Sequence, residues 1–357
     1  MEATARIYHL SHNDLDGYGA QFVVSQAFYN VAYFNADYKD IDKTFQEMMK
    51  RIKMDILTGT QVDLVLITDV NLTEAQAQFI ETQLNKLDNP PKLLLLDHHA
   101  TGEVSAKKHE WYQLDTSVCA TRLTYNWVRQ FFAPEQTELD ARMDRFSDMV
   151  NVTDMWLQGH ENFEKANYLS SMVFERDNLC PEMDEVSRQH KFFLVDKVFD
   201  IFDQGGTIRQ AETSLYEIKE AFLLDQGLSE DIVRDDNQAI ANKYFSLVFD
   251  FVMKHGFSVI EIDGHKSAVF YNWQHSVFQH VTARLFEESD KVDMAIRIAP
   301  QGRVSFRSET PDVNVGNIAA QYFGGGGHPC ASGGALKVKK VNNEAEGIKI
   351  INQMIGA

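Results

Sequence analysis

The sequence predicts an α/β protein of two domains: an N-terminal doubly wound parallel sheet, a helical connector, and a smaller C-terminal α/β domain. Three observations carry this. The chain has 357 residues, more than one ordinary domain holds. Its first 130 residues alternate short apolar runs with amphipathic stretches of helical period, the pattern of βαβ units around a parallel sheet. After residue 254 a second, shorter alternation begins, set apart by a mostly helical and acidic stretch. The expected bounds are 1–165, 166–255 and 256–357.

Taken in order, "RIYHL" (6–10) reads as a strand, "DGYGAQFVVSQAFYN" (16–30) as a helix and "VAYFNA" (31–36) as a strand. The helical "DIDKTFQEMMKRIKMDI" (40–56) follows, then the apolar strand "VDLVLITDV" (62–70). "LTEAQAQFIETQLNKL" (72–87) is an amphipathic helix with Thr73 as its N-cap. "KLLLLD" (92–97) is another apolar strand, and a helix is expected to begin near Thr116. Near-continuous apolar strands such as 62–70 and 92–97 suit the centre of a sheet covered on both faces. In the second domain a strand–turn–strand is expected around Asp263-Gly264. A helix near 277–289, the strands "VDMAIRIAP" and "GRVSFRSE", a helix at 314–323 and a glycine run at 324–327 follow.

Bulk properties limit the function. With 44% hydrophobic and 24% charged residues the chain suits a soluble globular protein. Its net charge of −18 argues against long duplex nucleic acid, which needs many Lys/Arg–phosphate contacts. It leaves small phosphorylated substrates open. No apolar run approaches a membrane span of roughly 20 residues, and "MEATARIYHL" lacks signal-peptide features. Cys119, Cys180 and Cys330 are odd in number and widely spaced, which suggests neither a disulfide framework nor a thiolate metal site. A cytoplasmic location is expected.

The chemistry concentrates at strand ends, where open parallel sheets bind ligands. "HLSHNDLDG" (9–17) follows the first strand, Asp69 ends 62–70, and Asp97-His98-His99 follow the leucines of 92–97. Carboxylates and imidazoles without thiolates favour Mn-, Mg-, Fe- or Co-like ions. Asp14 and Asp16 can flank one ion or reach two, and Asp69 can bridge. Asp154 offers a further carboxylate, with Asp148 as a spare. Two ions with an acidified water between them suit displacement at phosphorus. Asp14, Asp16 and Asp69 also suit turns and helix caps. Three consecutive ionisable groups after an apolar strand carry a desolvation cost unless paired. His9, within a strand, reads as a core histidine. Near the C-terminus the glycines of "GGGGHPCASGG" (324–334) let backbone N–H groups approach an anion, and Arg307, beside Ser308, can fork onto a phosphate.

These motifs resemble the DHH phosphoesterase superfamily. Asp97-His98-His99 is similar to its name-giving triplet, "HNDLDG" (12–17) to its first motif, Asp69 to its second and Asp154 to its fourth. "GGGGHPCASG" and "VSFRS" (304–308) resemble the DHHA1 domain, although Leu10 stands where many relatives carry a metal-binding histidine. The resemblance implies metal ligands at His12, Asp14, Asp16, Asp69, His98 and Asp154, with Asp69 bridging two divalent ions, Mn first and Mg or Co as options. It implies a catalytic role for His99 beside the scissile phosphate, oriented by Asp97. It also implies substrate contacts at Arg307, Ser308, Gly324, Gly325, Gly326, Gly327 and His328. Tyr271, Trp273 or Phe306 could stack on a base, although core packing suits them better.

The arrangement looks most like the nanoRNase B type of oligoribonuclease. The expected activity is metal-dependent degradation of short single-stranded RNA to mononucleotides in a cleft between the domains. The alternatives are a 3′-phosphoadenosine 5′-phosphate phosphatase, a pApA-type dinucleotide phosphodiesterase, or a non-catalytic binding protein on the same scaffold. The stretch 166–255 is open between a cleft wall and a homodimer contact.

Overall fold

The computed structural model describes residues 1–173, 185–226, 240–288 and 292–356. They form two compact units, one of residues 1–174 and 195–208, the other of 175–194 and 209–357. The stretch expected as a separate connector is thus divided between the units, and its residues 174–184 and 227–239, like Cys180, lie outside the described residues.

The first unit runs β1 (Ile7–Ser11), α1 (Leu15–Ser25), β2 (Val31–Asn35), α2 (Ile41–Leu57), β3 (Leu64–Thr68), α3 (Glu74–Asn85), β4 (Lys92–Asp97), α4 (Glu103–Ala106), β5 (Tyr112–Leu114), α5 (Ala120–Val128), α6 (Thr137–Asp154) and α7 (Phe163–Val173). The strands make one parallel sheet in the order β2-β1-β3-β4-β5. Every residue of β1 and β3 is buried, as a strand covered on both faces requires. Tyr8, Leu10, Val65, Ile67 and Leu95 face Phe45, Met48, Ile52, Ile80 and Leu84 of α2 and α3. Burying each such side chain stabilises the unit by about 1.5–3 kcal/mol. Helices α1, α5 and α6 pack together, with α1 and α5 also touching sheet strands.

Local chemistry explains the boundaries. Thr73 caps α3 in a reciprocal capping box with Gln76. The helix expected near Thr116 begins at Ala120 instead. Asp115 accepts from the N–H and hydroxyl of Ser117 (2.9 and 2.6 Å), and that turn delays it. The short β5 has too little pattern to be seen in the sequence.

α8 (Glu185–Asp203) and α9 (Ile208–Asp225) follow, then α10 (Ile240–His255), β6 (Ser258–Ile262), β7 (His265–Tyr271), α11 (His275–Glu288), β8 (Met294–Ile298), β9 (Arg303–Ser308), α12 (Val315–Phe323), β10 (Gly326–His328), β11 (Ala331–Ala335) and α13 (Glu344–Ile355). The second sheet is mixed, in the order β10-β11-β9-β8-β7-β6, with only the β7–β8 pair parallel. The hairpin β6–β7 turns at Asp263 and Gly264, both at positive φ (54° and 81°), the type I′ signature of an Asp-Gly pair. The glycine run is an ordered hairpin strand: Gly324 caps α12 in the left-handed region (φ 59°), and a Cβ on Gly325 would lie 1.9 Å from the Gly333 carbonyl oxygen.

Candidate metal centre

The site lies at the carboxyl ends of β1, β3 and β4, which are neighbours in the sheet. The loop after β1 carries His12 and Asp14, the first turn of α1 carries Asp16, Asp69 follows β3, and Asp97 ends β4 with His98 and His99 directly after it. Asp154, the last residue of α6, completes the group. All six residues expected as metal ligands fall into overlapping sets: His12, Asp14 and Asp69; Asp16, His98 and Asp154; Asp69, His98 and His99.

Each is held by its own local bonds. Asp14 Oδ1 caps α1 by accepting from the Gly17 N–H at 3.0 Å, while Oδ2 meets His12 Nδ1 at 2.8 Å. The helix-cap reading and the ligand reading therefore describe different oxygens of one carboxylate. Asp16 is 2% exposed and accepts the backbone N–H groups of Ala120 and Thr121, at 2.7 Å each, at the start of α5. A helix N-terminus favours the anion there. Asp69 has φ 56°, a left-handed conformation that Asp and Asn tolerate best among residues with a Cβ.

His98 lies at the centre. Its Nε2 stands 3.4 Å from Asp69 Oδ1, 3.5 Å from Asp154 Oδ2 and 3.6 Å from Asp16 Oδ2. That nitrogen, Asp69 Oδ2 and Asp154 Oδ2 are buried without a hydrogen-bond partner. Donor atoms about 2.1 Å from one ion in tetrahedral or octahedral arrangement lie roughly 3.0–3.4 Å apart, close to these spacings. Asp69 joins the sets, because its Oδ2 also stands 3.8 Å from His12 Nδ1.

The electrostatics point the same way. Burial, then the charges of Asp16, Asp14 and Asp154, push the Asp69 carboxyl well above its ordinary value. Burial, then Asp16 and Asp14, push Asp154 up to about 8. Burial lowers the pKa of His98. Buried carboxylates that repel one another around an imidazole lone pair are a cluster that lacks countercharge, which a divalent cation would supply. The donors are oxygen and imidazole nitrogen. The nearby Cys119 thiol is held protonated by burial and by Asp16, so it is a poor ligand. The residues present fit a hard or borderline divalent ion.

The triplet divides its work. Asp97 is fully buried; its Oδ1 accepts the N–H groups of His98 and His99 (2.8 and 3.2 Å) and meets His99 Nδ1 at 2.7 Å. Its Oδ2 accepts the Tyr112 hydroxyl at 2.5 Å. A Cβ on Gly102 would lie 1.9 Å from that hydroxyl. Desolvation opposes protonation of His99, but the bond to Asp97 and the charges of Asp97, Asp16 and Asp14 together outweigh it and raise its pKa. Nε2 of His99 is 2.9 Å from the Tyr38 hydroxyl. Tyr38, Tyr112 and Gly102 escaped the sequence reading, and no motif in the chain marks them. His9 is the core residue expected, with Nε2 2.9 Å from Thr68 Oγ1. Asp148 is exposed on α6, outside the sets.

The expected substrate contacts of the second unit are placed differently from one another. Arg307 Nη1 donates to the Phe306 carbonyl (2.8 Å) and Nη2 lies 3.4 Å from His275 Nε2; among the described residues no carboxylate pairs with it. Its β9 position faces Ala331 of β11, and Gly324 to His328 are exposed. Ser308 is 7% exposed, and its hydroxyl donates to the Val313 carbonyl at 2.8 Å, so it is bound within the fold. Tyr271, Trp273 and Phe306 are buried core residues and offer no stacking face.

No protein-family model matches the chain. It is 26% identical over 343 residues to the 3′,5′-cyclic-nucleotide phosphodiesterase of Helicobacter pylori (strain ATCC 700392 / 26695), covering 93% of each chain. It is 26% identical over 343 residues to oligoribonuclease NrnB of Bacillus subtilis (strain 168), covering 92% of this chain and 72% of that protein. The crystal structure of an uncharacterized protein from Helicobacter pylori G27 superposes with a TM-score of 0.76 over 99% of both chains, at 25% identity. These similarities fit the DHH/DHHA1 superfamily and its NrnB-like members. No helix among the described residues is long and apolar enough to cross a membrane.

Proposed function

We propose that this chain is a divalent-metal-dependent phosphodiesterase acting on nucleotides, with short RNA oligonucleotides as substrates and mononucleotides as products. The observation that carries the reading is the His98 nitrogen, facing Asp16, Asp69 and Asp154 without a hydrogen-bond partner. His12, Asp14 and Asp69 would hold one ion, Asp16, His98 and Asp154 a second, with Asp69 shared; Mn is the first choice and Mg or Co the alternatives. Bound there, the ions would supply an acidified water and countercharge for the phosphoryl oxygens. The residues of the chain do the rest. Asp97 fixes the ring of His99, which stabilises or protonates the departing oxygen. Arg307, the 324–327 backbone and His328 are proposed to grip a terminal phosphate or nucleotide.

A 3′,5′-cyclic nucleotide is a second reading, supported by the full-length similarity to the Helicobacter pylori phosphodiesterase. 3′-Phosphoadenosine 5′-phosphate and pApA are further candidate substrates. Product analysis with Mn²⁺ separates them: 5′-labelled di- to pentaribonucleotides, a 24-mer, cyclic AMP, pApA and 3′-phosphoadenosine 5′-phosphate are supplied side by side. The expected result is fastest loss of the di- to pentamers, abolished by His98→Ala. Intact oligonucleotides beside consumed cyclic AMP would replace the first reading by the second.

A further inference from the structure

Tyr38 stands between β2 and α2, 40% exposed, in a segment no motif marks. Its hydroxyl shares a 2.9 Å hydrogen bond with His99 Nε2. Its ring lies 4.9 Å from the His12 ring and meets the His99 ring edge-on at 5.9 Å. It therefore touches both imidazoles that flank the carboxylates. On the opposite side of His99, Nδ1 is fixed by Asp97, which Tyr112 holds in turn. Tyr112, Asp97, His99 and Tyr38 form one chain of hydrogen bonds with a buried end and an open end. An imidazole held only at Nδ1 can still swing about its side-chain bonds; held at both nitrogens it has one orientation.

We propose that Tyr38 is a positioning residue that aims Nε2 of His99 at the leaving oxygen of the phosphoester. The inference rests on the phosphodiesterase reading above. In that step the oxygen of a water that has given one proton to solvent bonds to phosphorus, the P–O bond to the departing nucleoside breaks, and the departing oxygen takes the Nε2 proton. The His99 ring is left neutral, with Nδ1–H still on Asp97. Tyr38 neither gains nor loses a proton, and it passes its place at Nε2 to the leaving oxygen.

Tyr38→Phe deletes the hydroxyl and keeps the ring on His12. The variant is compared with the wild type on two esters in Mn²⁺: a ribonucleoside dinucleotide, whose leaving alkoxide needs a proton, and a p-nitrophenyl ester of a nucleoside 5′-phosphate, whose leaving phenolate does not. The expected result is a kcat about tenfold lower on the dinucleotide, the scale of one hydrogen bond, with KM within about twofold. Turnover of the p-nitrophenyl ester stays within about twofold, and Mn²⁺ binding by calorimetry is unchanged. Equal loss on both esters would reveal a merely structural role and overturn the proposal, as would no loss on either, or loss of Mn²⁺ binding. A wild type idle on both esters removes the phosphodiesterase reading itself, and the inference falls with it.

Discussion

His98 Nε2 lies 3.4 Å from Asp69 Oδ1, and no hydrogen bond joins the two atoms. The contact makes sense around a shared cation and is costly without one. Asp69→Asn is nearly isosteric and tolerates the same backbone conformation. It should raise the melting temperature of metal-free protein by a few degrees, because it removes one of several mutually repelling charges. The same change should weaken Mn²⁺ binding at least tenfold and cut phosphodiesterase turnover by roughly a hundredfold or more. Calorimetry and melting curves in chelator check both halves. A variant that keeps full metal affinity would remove Asp69 from the ligand set.

The pH dependence of stability follows from the same cluster. Asp154, near 8, and Asp69, well above 3.8, have folded pKa values above their unfolded ones. The stability Asp154 contributes is complete below about pH 4 and is lost as pH rises through about 8, and Asp69 acts in the same direction. His98, whose pKa is lowered, acts in the opposite sense: its contribution is lost as pH falls below its ordinary value of 6.5. Between pH 7 and 9 the carboxylates decide. The gap in melting temperature between Mn²⁺-loaded and chelated protein should widen over that interval. A gap independent of pH would show that the carboxylates are already compensated.

Tyr112 supports the Asp97-His98-His99 triplet through Asp97. Tyr112→Phe leaves Asp97 Oδ2 without the hydroxyl it accepts at 2.5 Å, in a fully buried setting. Denaturant titration should show a loss of about 1.5–3 kcal/mol, the range for hydrogen bonds to charged groups. Gly102→Ala should do at least as much harm, because its Cβ would displace the same hydroxyl. Unaltered stability in both variants would mean that Asp97 finds another donor.

Arg307 and Ser308 are adjacent and should behave differently. Arg307→Ala should raise KM for short oligonucleotides about tenfold while Mn²⁺ binding is untouched, since no carboxylate among the described residues claims its guanidinium. Ser308→Ala should lower stability by about 1 kcal/mol and leave KM within about twofold, because its hydroxyl already serves the Val313 carbonyl. A KM effect at Ser308 as large as that at Arg307 would return it to the substrate contacts.

What the sequence determined by itself is local in origin. The apolar run of β4 stops where the ionisable triplet begins, Thr73 and Gln76 make the capping box of α3, and Asp263-Gly264 makes the hairpin turn. Alternation, capping and backbone preference act over a few residues, so a reader of the chain can see them. The gathering of carboxylates and imidazoles at three strand ends was legible for the same reason: a parallel sheet brings its carboxyl ends to one edge. Tertiary structure decided what holds those side chains. Asp16 is fixed by backbone N–H groups 104 and 105 residues away, and Asp97 by Tyr112 across the sheet edge. Ser308, which looks like a substrate contact beside Arg307, is turned inward by a neighbouring loop. Such bonds depend on which segments pack together, and no period or spacing along the chain encodes that.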